Sequence, residues 1–445
     1  MSGNNDRKHA REIVHRLKES GYEAYFVGGC VRDSILGNAT SDYDIVTSAL
    51  PEQVAQLFPS TLSIGAKFGV IAVIVESVPY EVATFRSDDV YEDGRHPSQV
   101  HFSSAKEDVF RRDFTINGLL MDPESGEITD YVNGRTDIEK KIIRTIGDAE
   151  DRFNEDFLRM LRAIRFAANL GFTIEAGTLS AIGRNASKII NISAERVREE
   201  LSKILTRGGA RAGFELMIQT GILKEVLPEV DRLKGVEQPP QFHPEGDVWE
   251  HTLKMLELLP NDGETEKNLC LAWGVLLHDV GKAVTQTIDE KGMHFYGHVK
   301  KGEEIADEIM QRLKFSRAQR ETVINLISQH MAFMNVQKMR PGRLKRFLRM
   351  PDFDLHMELH RLDCISSHGL QDNYEFCRVQ LQSLGQEDLH PKRLLTGDDL
   401  ISLGFVRGKI IGEILRALED EQLEGRITTP DDARNFVADH WMTES

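Results

Sequence analysis

The chain is poor in cysteine. Four thiols among 445 residues, Cys30, Cys270, Cys364 and Cys377, lie scattered and form no CxxC pair. That argues against a disulfide framework and for a reducing, cytoplasmic setting. No apolar run approaches the ~20 residues needed to span a bilayer, so no membrane association is expected. The first twelve residues, MSGNNDRKHARE, lack the apolar core of a secretory signal. Excess basic charge is missing too: 55 Lys and Arg against 71 Asp and Glu leave a net −16. Broad coating of nucleic acid is thereby excluded, and any RNA contact must come from a local cluster. Internal repeats and low-complexity tracts are absent, and nothing marks an obligate protein partner. What remains is an ordinary globular mix, 40% apolar and 28% charged, long enough for two to four domains.

Two textures divide it. Up to about residue 150, helices and strands mix. Ala10, Ile13, Val14 and Leu17 recur at helical spacing, and Gly21 ends that helix. Ala24–Val27 reads as a short strand, followed by a Gly28–Gly29 turn and a helix ended by Gly37. Asp42–Val46 alternates like a strand, Pro51 opens a helix, and Val70–Val75 with Tyr80–Phe85 reads as a hairpin. The polar stretch 86–104 reads as a mobile loop. After residue 150 nearly every segment has helical period, with breaks expected at 208–213, at Pro239–Pro240 and at the PGR of 341–343.

Within the first texture, GGCVRDSILGNATSDYDIV carries the chemistry. Asp42 and Asp44, two apart on a strand, present both carboxylates on one face. Such a pair is a hard oxygen site for Mg²⁺, and two ions there can activate a hydroxyl and stabilise a leaving pyrophosphate. Gly28 and Gly29 let backbone approach phosphate at a helix start, and Arg32 is placed for a phosphate contact. A lone DxD or Gly-Gly is usually a turn; strand, GG, helix, strand and DxD in one short unit is more specific. Glu81 is a third candidate carboxylate, with an edge-strand surface position as the alternative.

Two arginine-rich segments follow. In FRRDFTIN, Arg111 and Arg112 are adjacent, so one of them is expected to face a given site and Asp113 to pin the other or a ribose hydroxyl. In NEDFLRMLRAIRFAA, Asp156 and Arg159 are neighbours on one helix face, and Arg162 and Arg165 continue the row. A carboxylate accepts from an amino group while a guanidinium donates to ring acceptors. Cytosine and adenine both show an amino donor beside an acceptor; uracil and guanine show the opposite polarity. One Asp–Arg pair can therefore select C and A without a template, because a mismatch leaves buried polar groups unpaired.

GGxVRDxxLG…DxD, RRDFTxN and EDxxRxxRAxRF together resemble the head and neck motifs of class II tRNA nucleotidyltransferases, the CCA-adding enzymes, a class that includes bacterial poly(A) polymerases. The resemblance covers roughly the first half of the chain. It implies a polymerase-β-like α/β head with a small mixed sheet, an all-α neck, two Mg²⁺ on Asp42 and Asp44, and triphosphate or ribose held by Gly29, Arg32 and Arg112. It also implies base reading by Asp156 and Arg159, supported by Arg162 and Arg165. ISAERVREELSKIL resembles the next neck helix, where Glu195 and Arg198 are structural. The 86–104 segment resembles the loop needed for adding the terminal A, which disfavours a CC-only enzyme.

A second pattern lies behind: HPEGDVWEH, LLHDVGK, YGHVKKG, ISQH and RLDCISSHG offer His251, His278, Asp279, His298, His330 and Asp363 as ligands. Imidazoles and carboxylates suit several divalent metals. The pattern resembles an HD domain, a helical metal-dependent phosphohydrolase fold. The alternative is a relic with packed histidines. For RNA, the densest basic track is Lys338, Arg340, Arg343, Lys345, Arg346 and Arg349, and the tail adds Arg407 and Lys409; the competing reading is a solvated basic helix. The tail, 394–415, resembles that of many CCA-adding enzymes. The expected domains are a nucleotidyltransferase head at 1–150, a helical neck at 151–235, an HD domain at 236–390 and a helical tail at 391–445. The expected reaction is Mg-dependent addition of C, C and A from CTP and ATP to the 3′ end of tRNA. A-only addition, poly(A) synthesis, or phosphohydrolysis of RNA ends by the HD domain stand as alternatives.

Overall fold

The computed structural model of the chain describes residues 2–40, 42–65, 69–88, 100–260, 265–290 and 292–442. They divide into two compact units: Met1–Asp231 with 260–264 and 312–314, and Arg232–Leu259, Thr265–Gln311 and Phe315–Ser445. The α/β head followed by helices expected from the sequence is the architecture found.

The first unit opens with α1 (Ser2–Glu19), whose Ala10, Ile13, Val14 and Leu17 are buried, and with Gly21 at positive φ behind it. Then come β1 (Ala24–Val27), α2 (Gly29–Leu36), β2 (Asp44–Thr47), α3 (Pro51–Leu57), β3 (Thr61–Gly65), β4 (Val70–Val75) and β5 (Val78–Thr84). The short strands β6 (Arg86–Asp88) and β7 (Val100–Phe102), α4 (Ala105–Phe110), β8 (Leu119–Met121) and β9 (Ile128–Asp130) complete the head. Seven strands form one mixed sheet in the order β3-β4-β5-β2-β1-β8-β9. β2 and β5 run parallel, with Ile45 opposite Val82, while the other neighbours are antiparallel. That single parallel pair brings Asp44, the first residue of β2, beside Glu81 in the middle of β5. Val27, Val46, Phe85, Val109 and Leu120 pack beneath.

Two expectations change here. Asp42 precedes β2 and is not part of a strand. The segment 86–104 is not wholly a loop: Arg86, Ser87 and Asp88 pair with Phe102, His101 and Val100 in an antiparallel ribbon. Its middle, 89–99, lies outside the described residues.

Next come α5 (Gly134–Glu139), β10 (Ile142–Ile143), α6 (Ala149–Glu155), α7 (Leu158–Leu170), β11 (Thr173–Ile174), α8 (Ala176–Asn185), α9 (Ala194–Thr206), α10 (Ala210–Gln219), α11 (Ile222–Val226) and α12 (Pro228–Asp231). α7 buries Leu158, Leu161 and Ile164 and packs on α9 and α10. Gly209 makes that approach possible, since a Cβ there would lie 2.1 Å from the Ala168 carbonyl oxygen.

The second unit holds α13 (Val248–Glu257), α14 (Glu266–Leu277), α15 (Lys282–Thr285), the hairpin β12 (Thr287–Asp289) and β13 (Gly292–His294), α16 (His298–Arg312), α17 (Arg317–Gln329), a 3-10 helix at His330–Lys338, α18 (Pro341–Leu348) and α19 (Phe353–Ser366). The break expected at the PGR falls just before it, between Lys338 and Pro341, and Pro341 takes the first position of α18, where its missing N–H costs nothing. α20 (Asp372–Ser383), α21 (Gln386–Leu389), α22 (Gly397–Ser402), α23 (Lys409–Leu423) and α24 (Pro430–Trp441) follow. Leu400, Ile414, Leu418 and Val437 give the last three helices a small core of their own. Among the described residues, no helix is long and apolar enough to cross a membrane.

Candidate active site

At the edge of the head sheet, Asp44 is half-buried while Asp42 is exposed. Burial, then the negative charge of Asp42, push the Asp44 carboxyl up to about 6; Arg112 pulls the other way and Glu81 adds repulsion. Three carboxylates that repel one another at a partly dry edge form a set that a divalent cation would relieve. Gly28, at φ 76°, faces them: a Cβ there would stand 3.6 Å from Asp44 Oδ2 and 3.8 Å from Arg112 Nη1. The cradle is open because that side chain is missing, and α2 begins at the next residue, Gly29.

The arginines are held by buried acids. Arg111 and Arg112 do not divide between two sites: both donate to the fully buried Asp108, Arg111 Nη2 to Oδ1 at 2.6 Å and Arg112 Nη2 to Oδ2 at 2.9 Å. Asp113 pins neither of them; Arg162 donates to its Oδ2 through Nε at 2.8 Å and Nη2 at 2.6 Å. Arg165 is paired with buried Glu200. Arg32 is itself buried, donating through Nη1 to Asn117 Oδ1 at 2.9 Å and through Nη2 to Asp33 Oδ2 at 3.0 Å. The guanidiniums of Arg32, Arg162 and Arg165 surround the Phe166 ring at 5.2, 5.4 and 4.0 Å from its centre.

Asp156 and Arg159 do not share one helix. α6 ends at Glu155 and α7 begins at Leu158, so Asp156 sits in the break, extended, and its Oδ1 accepts the Leu158 N–H at 3.0 Å. Arg196 grips both its oxygens, Nη1 to Oδ1 at 3.2 Å and Nη2 to Oδ2 at 2.6 Å. Arg159 Nη1 donates to Glu155 and to the Arg152 carbonyl. The pair is thus adjacent, at a helix start, with each member oriented by a neighbour.

In the second unit Asp279, His298, His330 and Asp363 line one cavity, and His251 and His278 are clustered with Asp363. Asp279 with His298 and His330 forms one group, and His251 with His278 and Asp363 another; within each, the ligand atoms lie within 4.8 Å of one another. The local chain explains the aim of the rings. His278 and His330 sit just past the ends of α14 and α17 and donate through Nδ1 to Val275 O (2.9 Å) and Ile327 O (2.6 Å). Those carbonyls belong to the last turns and have no intrahelical partner. His298 donates likewise to Phe295 O at 2.9 Å, and His251 to Glu245 Oε1 at 2.7 Å. Every Nδ1 is thereby occupied, and the four Nε2 atoms are buried without a hydrogen-bond partner. That donor set fits a metal, whose histidine ligands typically give their second nitrogen to a carbonyl or carboxylate. Burial pushes His330 down to about 4. For His251 burial also lowers, but the carboxylates beside it, Asp363 with Oδ1 3.2 Å from Nε2 and Glu245 on Nδ1, outweigh it and raise the ring to about 9. Lys282 Nζ lies 2.7 Å from Asp279 Oδ2.

Three domain families match the chain in sequence: the poly A polymerase head domain over residues 24–144, the probable RNA and SrmB-binding site of polymerase A over 171–234, and the HD domain over 248–363. The chain thus carries segments similar to a poly A polymerase head, its RNA-binding region and an HD domain, in that order. Both its head and its HD domain are of divalent-metal-dependent families. The CCA-adding enzyme of Geobacillus kaustophilus is 48% identical over 211 residues, 47% of this chain and 52% of that protein. That of Bacillus pumilus is 44% identical over 256 residues, 56% of this chain and 64% of that protein. The aligned stretches thus span from about half to just under two thirds of these curated relatives. Among solved structures, the Bacillus stearothermophilus CCA-adding enzyme in complex with CTP superposes with a TM-score of 0.71 at 26% identity, covering 98% of each chain.

Sequence reasoning missed the partners that orient the arginines and rings: Asp108, Glu200, Arg196, Glu245 and Lys282. Arg196 and Lys282 lie one and three residues from positions the sequence did single out, Glu195 and Asp279. Their contacts depend on which helices meet, and no spacing in the chain reports that. The basic track is partly neutralised. Arg346 pairs with Asp420 at 3.0 Å and Arg349 with Glu419 at 2.8 Å, whereas Lys338, Arg340, Arg343, Arg407 and Lys409 are exposed and Lys345 is half-buried.

Proposed function

We propose that this chain adds C, C and A, one nucleotide at a time, to the 3′ end of tRNA from CTP and ATP. The observation that carries the reading is the Asp42–Asp44–Glu81 edge facing the open Gly28 cradle, with Arg112 beside it. The tRNA 3′-oxygen attacks the α-phosphate, a P–O bond forms to it, the α–β bridge breaks, and pyrophosphate leaves with its charge. Two Mg²⁺ held by Asp42 and Asp44 would supply charge stabilisation for the attacking and leaving oxygens. Glu81 flanks the pair. Gly28 and Gly29 give backbone access to the triphosphate, and Arg112, anchored by Asp108, reaches it with its remaining N–H groups. Arg32 joins Asp33 to Asn117 and steadies α2 beside the triphosphate. Asp156 accepts from the amino group of C or A while Arg159 donates to the ring, and Arg196 and Glu155 keep both at the correct angle. Arg162 and Arg165 brace that segment from Asp113 and Glu200.

Support comes from the resemblance of the head and neck to enzymes named for CCA addition, one of them solved with CTP. The cytoplasm is the proposed setting, in keeping with four free, buried cysteines. Lys338, Arg340, Arg343, Lys345, Arg346, Arg407 and Lys409 are the proposed backbone contacts to tRNA, read through the shape of an A-form helix. The test is incubation with transcripts ending at the discriminator base, at C and at CC, with labelled CTP or ATP. Addition of CCA to the first supports the reading. Extension of the CC-ended transcript alone, or a long A tail, replaces it with the A-adding or poly(A) alternative.

A second reading concerns the HD domain. Four buried Nε2 atoms without partners, facing two carboxylates, favour a divalent-metal site at His251, His278, Asp279, His298, His330 and Asp363 that hydrolyses phosphate esters. The bound metal would polarise the ester and its attacking water.

A further inference from the structure

Asn117 closes a short 3-10 turn (Thr115–Asn117) in the head, its N–H donating to Phe114 O at 2.9 Å. α5 packs directly on that turn: a Cβ on Gly134 would lie 2.2 Å from the Thr115 carbonyl oxygen. The Asn117 side chain is buried and uses both ends of its amide. Its Oδ1 accepts from Arg32 Nη1 at 2.9 Å, and its Nδ2 donates to Asp113 Oδ1 at 3.2 Å. Asp113 Oδ2 takes both contacts from Arg162. Arg32 lies on α2, which starts at Gly29, and Arg162 lies on α7 one turn after Arg159. A continuous row of hydrogen bonds thus runs from the helix at the cradle to the helix that carries Arg159. An amide suits its centre. Arg32 offers a donor and Asp113 an acceptor, so the group between them must accept on one side and donate on the other. A carboxylate there would face the Asp113 carboxylate. An apolar side chain would take a partner from a buried guanidinium and from a buried carboxylate at once, and buried polar groups are costly to leave unpaired.

We infer that Asn117 is a positioning residue that locks the triphosphate cradle to the base-reading helix. A nucleotide whose base seats on Asp156 and Arg159 then has its α-phosphate in line, and one whose base does not is held out of line. The inference rests on the reading of this unit as a nucleotidyltransferase. Asn117 acts there through Arg32 and Arg162, without touching the substrate. Misplacing reacting atoms by about 1 Å can cost about 10²-fold in rate. With the row intact, a misfit at the base is carried to the phosphate. With it broken, the two ends of the nucleotide settle independently. Cognate nucleotides lose their in-line placement, while non-cognate ones, already out of line, lose little. The contacts to base and to triphosphate survive one by one, so the loss falls on kcat and not on KM.

The test measures CTP and UTP addition by the full chain with Mg²⁺ to a transcript ending at the discriminator base. Single-turnover conditions make slow UTP addition measurable, and ATP against GTP on a CC-ended transcript gives the same comparison for A. In Asn117→Leu the maximal rate with CTP should fall about 10- to 100-fold with the half-saturating CTP concentration nearly unchanged, and the preference for CTP over UTP should narrow by about 10-fold or more. Asn117→Asp, which sets two carboxylates against each other, should lose the preference too. Asn117→Gln keeps both amide groups, one methylene out of place, and should retain more of it than Asn117→Leu. A merely structural role lowers the folded fraction, which scales CTP and UTP addition alike and leaves their ratio unmoved. The ratio is therefore read on whatever fraction circular dichroism shows to be folded, and Asn117→Asp carries the same criterion if Asn117→Leu does not fold. A wild-type preference in the folded variants, or a loss that falls on half-saturation alone, would overturn the lock while leaving nucleotidyl transfer standing. No incorporation of CTP or ATP by the wild type would overturn the transfer reading and the lock with it.

Discussion

The side chains of greatest consequence are carboxylates in uncomfortable places. Asp44 is pushed up to about 6 by burial and by Asp42. If that edge holds the reacting metals, Asp44→Asn or Asp42→Ala should lower nucleotide incorporation at least ~10²-fold, as loss of transition-state charge stabilisation does. Folding should be unaffected, because the site is relieved of repulsion; circular dichroism beside the incorporation assay checks both. Asp113 is the opposite case. Burial alone would raise it, but the charge and hydrogen bonds of Arg162, with Arg159 and Asn117, outweigh that and hold it at about 2, down from 3.8. The sign follows from a depressed folded-state pKa. The stability it contributes is present above about pH 4 and is lost as pH falls towards 2. That depression corresponds to roughly 2–3 kcal/mol. Asp113→Asn should therefore lower the thermal midpoint at pH 7, and its deficit against the wild type should shrink between pH 4 and 2. A deficit independent of pH would show that the ion pair with Arg162 contributes nothing through its charge.

At the scale of elements, glycine sets how closely the turn between α14 and α15 approaches α16. A Cβ on Gly281 would lie 2.1 Å from the His298 carbonyl oxygen and 2.6 Å from Gly302 N, both backbone atoms that cannot rotate away. Gly281→Ala must displace the start of α16, and His298 with it. Overpacking of this kind costs about 1–3 kcal/mol, and a displaced ligand should weaken metal affinity on the order of 10–100-fold, the range for disturbed ligand orientation. Titration calorimetry with Mn²⁺ measures it. Unchanged affinity would mean that His298 does not ligate. The neck depends on a similar close approach at Gly209, so the short distances between helices, and the small residues that permit them, position both candidate sites.

On the scale of the whole molecule, the two compact units give separate handles on the two proposed chemistries. A metal that binds only the folded second unit stabilises it by mass action, about 2.7 kcal/mol at a hundredfold excess over Kd. Mn²⁺ should therefore raise the midpoint of one calorimetric transition, EDTA should reverse the rise, and His278→Ala should abolish it. A rise that persists in His278→Ala would place the metal elsewhere. Much of this was legible from the chain. Period-3.6 burial of Ala10, Ile13, Val14 and Leu17, the strand at Ala24–Val27, and the HD histidines are local patterns, and local patterns follow from backbone geometry and the hydrophobic effect. The sequence by itself determined the α/β head, the helical remainder and the residue types gathered at each candidate site. Tertiary structure alone decided the partners: that Asp108 and not Asp113 holds Arg111 and Arg112, that Arg196 grips Asp156 in a break between helices, that Glu245 orients His251, and that Asn117 joins Arg32 to Asp113. The physical reason is range. Secondary structure is set by neighbours a few residues apart, whereas a buried charge finds its counter-ion through the packing of elements 40 or more residues apart, as Arg162 with Asp113 and Arg196 with Asp156 show.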